Sequence, residues 1–209
     1  MQVSLVNVSK RFGRETVIDL LSHELASGSR TAILGPNGSG KSTLLQLIAG
    51  ALVPSTGQVT HRLGGAVEAQ GAVYRHVSIA APYLGLYEEL SLQQAITFHT
   101  RFKPLKRGLS AAELARIAYL DHALGKPVQH FSSGMKQRLK LALAILTDAP
   151  LLLLDEPASN LDAEATEWFR ALLREHVDGR TLVVASNRHA AEHDLCTERI
   201  ELGAARTAR

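Results

Sequence analysis

Residues 35–43 read Gly-Pro-Asn-Gly-Ser-Gly-Lys-Ser-Thr and follow the apolar run Thr31-Ala32-Ile33-Leu34. The pattern G-x-x-x-x-G-K-[ST] directly after a strand-type run leaves few folds open. A glycine-rich turn between a strand and a helix converges backbone N–H groups and the positive helix end on one point, which suits the phosphates of a nucleotide. In that reading Gly35, Gly38 and Gly40 supply positive φ and close backbone approach. Pro36, Asn37, Ser39 and Thr43 complete the cradle, Lys41 reaches the β and γ oxygens, and the Ser42 hydroxyl ligates Mg²⁺. A turn that merely joins strand to helix needs none of the fixed positions, and their chance coincidence in a chain of this size is about one in a hundred.

A second chemical element is Leu151-Leu152-Leu153-Leu154-Asp155-Glu156-Pro157. The apolar run between Pro150 and Pro157 predicts a short buried strand that delivers two carboxylates to its C-terminal edge, where open α/β sheets bind ligands. Asp155 suits Mg²⁺, held through water opposite Ser42, and Glu156 suits polarising a water for attack on a γ-phosphate. Either carboxylate alone would read as a solvated strand end; beside a phosphate loop the pair reads as catalytic.

The rest of the chain supports an α/β arrangement. Val3 to Val8 and Thr16 to Leu25 are β-type, with a hairpin turn at Lys10-Arg11-Phe12-Gly13-Arg14. A helix is expected from Ser42 to Ala49, a strand over Tyr74 to Ala80, and a helix opened by Ser91. Ser110-Ala111-Ala112-Glu113 is a capping box for a further helix running to Gly125. Then come a helix at 134–147, the strand at 151–154, a helix at 163–176, and strands at 181–185 and 199–202. Strands alternating with helices predict a mainly parallel sheet covered on both faces.

The 209 residues, with a formal charge of +3, have Lys and Arg spread along the chain. That describes a solvated surface and argues against direct nucleic-acid binding. The single cysteine, Cys196, excludes an internal disulfide and fits a reducing cytosol. Neither a signal-type start nor a membrane-length apolar run is present, so the expected location is cytoplasmic. His189 and His193 stand four apart on an expected helix, but zinc lacks a third ligand at suitable spacing.

A third element is Phe131-Ser132-Ser133-Gly134-Met135-Lys136-Gln137-Arg138. Ser132 and the backbone around Gly134 open a helix, which is either an ordinary N-cap or a second anion site. The segment resembles the signature of ATP-binding cassette (ABC) ATPases, usually written L-S-G-G-Q, with Ser133 in place of a Gly and Met135 in place of the Gln. The resemblance extends from about residue 2 to 202. It implies a P-loop NTPase fold: a mainly parallel sheet flanked by helices, an antiparallel β subdomain near the N-terminus and an inserted α-helical subdomain. The whole chain, 1–209, would be one such domain, with 1–83 and 136–209 as nucleotide core and 84–135 as the helical signature subdomain.

The resemblance further implies that Phe12 stacks on adenine, although a strand-end core aromatic has the same pattern. Ser132, Ser133, Gly134 and Met135 would grip the ATP bound to a partner protomer. Asp162, in Ser159-Asn160-Leu161-Asp162, would organise the dimer loop, and it is equally a helix cap. Two positions depart from the family: Pro82 stands where a Gln is usual, and Asn187 where a switch His is usual, with His189 nearby. Asn can donate a hydrogen bond to a γ-phosphate but carries no charge. The implied function is ATP·Mg²⁺ hydrolysis in a homodimer or ABC heterodimer that energises a separate membrane permease, with the subunit peripheral on the inner face of the cell membrane. The chain looks similar to short single-cassette exporter-type subunits, and no appended regulatory domain is expected. A nucleotide-sensing module with little hydrolysis, or a non-transport ABC ATPase, is the alternative. The segments Ala95 to Phe102 and Leu114 to Leu124 are expected to frame a groove for the permease.

Overall fold

The chain is described here by a computed structural model covering residues 1–187, 190–203 and 206–207. In chain order its strands are β1 (Gln2–Phe12), β2 (Glu15–Leu25), β3 (Arg30–Leu34), β4 (Thr56–Leu63), β5 (Ala66–Val67), β6 (Val77–Ala80), β7 (Leu151–Asp155), β8 (Thr181–Ser186), β9 (Glu198–Glu201) and β10 (Arg206–Thr207). The α-helices are α1 (Lys41–Ile48), α2 (Leu92–Thr100), α3 (Ala111–Ile117), α4 (Ser133–Leu146), α5 (Ala163–His176) and α6 (Ala190–His193).

Two sheets form. One is antiparallel, ordered β10-β2-β1-β4-β5, and the other is parallel, ordered β6-β7-β8-β3-β9. The leucines of β7 show why the parallel sheet must be covered twice. All four are fully buried, and they alternate: Leu151 and Leu153 join a core with α1 and the antiparallel sheet, while Leu152 and Leu154 join one with α4 and α5. Each such side chain contributes roughly 1.5–3 kcal/mol relative to exposure. Helix α1 is thus held between the two sheets, its leucines Leu44, Leu45 and Leu47 without exposure, and the loop that precedes it has a rigid base.

Two expected elements differ. Tyr74 to His76 are not strand: Gln70–His76 form a 3₁₀ segment, and β6 begins only at Val77. Val73 is fully buried there and packs so closely on Gly50 that a Cβ on the glycine would sit 3.1 Å from its Cγ1. The helix expected to reach Gly125 stops at Ile117. The Trp168 indole donates to the Ile117 carbonyl at 2.7 Å, Tyr119 turns left-handed with φ 58°, and the Leu120 N–H closes on Ala115 O at 2.7 Å. That ending takes the last carbonyls out of the helical ladder.

Both capping boxes form, Ser91 with Gln94 and Ser110 with Glu113. They fix α2 and α3 against α4 through Leu92, Ile96, Leu114 and Leu139, which are all buried.

Candidate active site

Parallel register brings the chemistry to one edge. Ala80 lies opposite Leu154, Asp155 opposite Ala185, and Leu34 opposite Ser186. The loops leaving β6, β7, β8 and β3 therefore emerge side by side, carrying Pro82 and Tyr83, Glu156, Asn187 and the phosphate loop.

Helix α1 begins at Gly40, in the left-handed region with φ 94°, and no side chain caps it. An uncapped helix start leaves donors for an anion. Gly38 also has positive φ, 76°, but Gly35 does not, which corrects one expected role. Gly35 is required by crowding instead: a Cβ there would lie 2.4 Å from Ser39 Oγ and 2.6 Å from the Leu202 carbonyl.

Lys41 is 5% exposed. Its ammonium donates to the carbonyls of Gly35 (3.1 Å) and Pro36 (3.2 Å) and to Asn187 Oδ1, and it lies 3.7 Å from Glu156 Oε1. The Asn187 amide donates to the same Glu156 oxygen at 2.8 Å. Lys41, Asn187 and Glu156 thus form one polar triangle at the sheet edge. Glu156 itself has a φ of 47°, a conformation few non-glycine residues adopt, held by its N–H donating to Ala185 O at 2.9 Å. His189 lies outside the described residues.

Behind the triangle is Asp155, 2% exposed, with neither carboxylate oxygen receiving a hydrogen bond. Burial pushes its carboxyl up from the ordinary range; the nearby Ser42 hydroxyl and the Lys41 charge oppose that, while the charges of Glu156 and Glu192 add to it. A buried carboxylate lacking donors, beside the Ser42 hydroxyl, suits a divalent cation.

A cleft of about 430 Å³ opens over these groups, lined by Phe12, Val17, Asn37, Gly38, Gly40, Lys41, Ser42, Thr43 and Glu156. Phe12 is 50% exposed at the tip of the β1–β2 hairpin, its ring 5.1 Å from the Lys10 ammonium, so it faces the cleft and not the core. Pro36 is exposed at the loop's crest and Ser39 is buried beneath it.

The segment at 132–135 lies apart from this cleft: Ser132 caps α4 by accepting from Met135 N at 3.2 Å, and Ser132 and Ser133 are exposed. Gly134 faces the Asn160 carbonyl, 3.5 Å from where a Cβ would stand. Asp162 caps α5, accepting from Ala165 N at 2.8 Å. Two residues escape sequence reading. Tyr83, next to Pro82, places its hydroxyl near Gln46 of α1, and burial, with Asp155's charge, pushes its pKa up to about 12. Glu192 is buried and binds both Ala158 and Ser186. Adjacency to the family departure at Pro82 is a signal that could have found the first; a lone Glu on a four-residue helix gives none for the second.

A family model described as "ABC transporter" matches residues 18–159. The chain is 35% identical over 177 residues to the sulfate/thiosulfate import ATP-binding protein CysA of Thermosynechococcus vestitus, covering 83% of this chain and 52% of that one. It is 32% identical over 193 residues to the cytochrome c biogenesis ATP-binding export protein CcmA of Rhizobium meliloti, covering 89% and 90%. The chain therefore spans about half the length of CysA and nearly all of CcmA. Among solved structures, an ATP-binding subunit of an ABC transporter superposes with a TM-score of 0.82 at 26% identity, covering 99% of this chain and 90% of that one. Among the described residues no helix is long and apolar enough to cross a membrane.

Proposed function

Since the chain belongs to the ABC transporter family of ATP-binding proteins, we propose that it binds and hydrolyses ATP as the energising subunit of a transporter whose permease is a separate chain. One observation carries this reading: the phosphate loop, Phe12 and Glu156 line a single cleft, with the donor-free carboxylate of Asp155 behind it. Adenine stacks on Phe12, and the start of α1 with Lys41 receives the phosphates. Ser42 and Asp155 are the residues that would hold Mg²⁺, and the ion would supply charge neutralisation for the phosphates. Glu156 accepts a proton from the attacking water as the bond from the terminal phosphorus to the bridging oxygen breaks, giving ADP and phosphate. Asn187 positions Glu156 and donates to the γ-phosphate.

Because residues 132–135 lie apart from the chain's own cleft, a second protomer must supply its signature to complete each site. That favours a head-to-tail homodimer or ABC heterodimer. The permease contact would lie in the groove of about 220 Å³ bordered by Leu86, Tyr87, Phe98 and Phe102, framed by the expected 95–102 segment but not by 114–124, whose Leu114 and Leu120 are buried in the core; Phe102 is 69% exposed there and the three aromatic rings stack edge to face. That contact would seat the subunit on the inner face of the membrane. The relative matched over 90% of its length is an export protein, which supports an export system.

The test is phosphate release. Wild-type chain with ATP and Mg²⁺ should turn over, and Glu156→Gln should reduce the rate by about 10²-fold or more while keeping ATP binding. Equal rates in the two proteins would refute the assignment. Pro82 and the engagement of Asn187 by both Lys41 and Glu156 favour a second reading, a nucleotide sensor with little turnover. Tight ATP binding with no Glu156-dependent release would select it.

A further inference from the structure

The loop after Glu156 is gripped from two sides. The Gln137 amide of α4 donates to the Pro157 carbonyl at 2.9 Å, and the Ala158 N–H donates to Glu192 Oε1 of α6 at 3.0 Å. The other Glu192 oxygen accepts from the Ser186 hydroxyl at the end of β8, directly before Asn187. Glu192 is 6% exposed. A carboxylate is costly to bury unless charge-assisted hydrogen bonds, an ion pair or a cation compensate it, and Glu192 is compensated by hydrogen bonds. Here its two partners belong to two different active-site segments, one leading from Glu156 toward Asp162 and the other ending in Asn187.

We propose that Glu192 is a positioning residue that locks the 156–162 loop to the end of β8, so that Glu156 and Asn187 hold a common geometry. Its reach is short and double: one carboxylate spans a backbone donor on the first segment and a hydroxyl donor on the second. Without it, the two segments stay joined by the backbone bond from Glu156 N to Ala185 O, and the loop beyond loses its anchor on the β8 side. The Gln137 bond would then pull the loop toward α4 alone. In a reaction whose acceptor must face a water and a phosphorus together, small misplacements of this kind cost rate and spare binding.

The inference rests on the proposed ATPase reading, so the experiment separates the two. Full-length wild type, Glu192→Ala, Glu192→Gln and Ser186→Ala are compared by single-turnover phosphate release, ATP affinity and amide hydrogen exchange. Glu192→Ala should slow release by about 10- to 100-fold with ATP affinity within about threefold of wild type. Exchange should rise together in 158–162 and 186–187, and stay at wild-type level in the phosphate loop. Glu192→Gln, whose amide oxygen can accept from Ala158 and whose NH₂ can donate to Ser186 Oγ, should recover the rate to within about threefold. A merely structural carboxylate would lower rate and affinity alike. Should Glu192→Ala fail to fold, Ser186→Ala cuts the same tie at its other end and must give the same exchange pattern. Exchange raised only within α6, or unchanged in both segments, overturns the proposal. If wild type shows no Glu156-dependent release, the ATPase reading falls, and the paired rise in exchange alone decides whether the tie exists.

Discussion

Replacing Asn187 by Ala removes two contacts at once: the donor to Glu156 Oε1 at 2.8 Å and the acceptor for the Lys41 ammonium. A hydrogen bond to a charged group is worth about 1.5–3 kcal/mol. The Glu156 side chain is 34% exposed, so water recovers part of that, and the low end applies. About 1.4 kcal/mol is a tenfold change in rate. If the same amide also donates to the γ-phosphate during reaction, its loss adds further, since one positioned donor commonly contributes ~10²-fold. Asn187→Ala should therefore slow single-turnover phosphate release by about 10- to 100-fold, measured at saturating ATP. Affinity should change little, because Lys41 keeps its contacts with the Gly35 and Pro36 carbonyls. Asn187→His keeps a donor and adds a titratable ring, and it should exceed the wild-type rate. Wild-type release by Asn187→Ala would show that Asn187 has no part in turnover. An unchanged rate in Asn187→His with a collapse in His189→Ala would move the role to His189.

Gly35→Ala should destabilise the chain by about 1–3 kcal/mol in urea unfolding, because its Cβ meets the Leu202 backbone, which cannot rotate aside; an unaltered midpoint would contradict the crowding argument. Glu156→Gln should dimerise with ATP and Mg²⁺ but not with ADP, and adding Gly134→Asp should abolish the dimer and keep single-site binding, since the new carboxylate opposes a partner's γ-phosphate. Light scattering that finds only monomer for Glu156→Gln at saturating ATP would sink the head-to-tail arrangement. Burial, helped by the Lys103 charge, pushes His99 down to about 4, so the unfolded chain, with a histidine pKa of about 6.5, binds that proton first. Stability should be fully present above about pH 6.5 and fall as pH drops toward 4, by ~2 kcal/mol at pH 5, and a His99→Gln variant should show a shallower decline.

Much of the frame was legible because it rests on local rules. The β7 leucines flanked by prolines, the Ser91 and Ser110 capping residues, and the helix capped by Asp162 all declare themselves within a few residues, and the structure places them accordingly. The misreadings arise where a distant group decides. Nothing between Ser110 and Gly125 says that Trp168 will take the Ile117 carbonyl and end α3. Nothing near Tyr74 says that Val73 will be pinned under Gly50, forcing a 3₁₀ turn where β-type residues predict a strand.

The site follows the same division. The phosphate loop and the Asp155–Glu156 pair are contiguous in sequence and could be read directly, whereas the contacts among Lys41, Asn187, Glu156 and Glu192 depend on strand register across the parallel sheet. The departure at Pro82 shows the limit of reading by position. A proline there removes an amide side chain, and position alone records a loss. The structure sets the neighbouring Tyr83 hydroxyl by Gln46 and within reach of the Asp155 charge, and a phenol, whose ordinary pKa is about 10, is protonated at neutral pH. A protonated phenol can donate where a glutamine amide would, but it lacks the amide's carbonyl and accepts less readily. What changes at this edge is therefore the kind of hydrogen bond on offer, and the polar character of the place is kept by a residue that pattern matching does not consult.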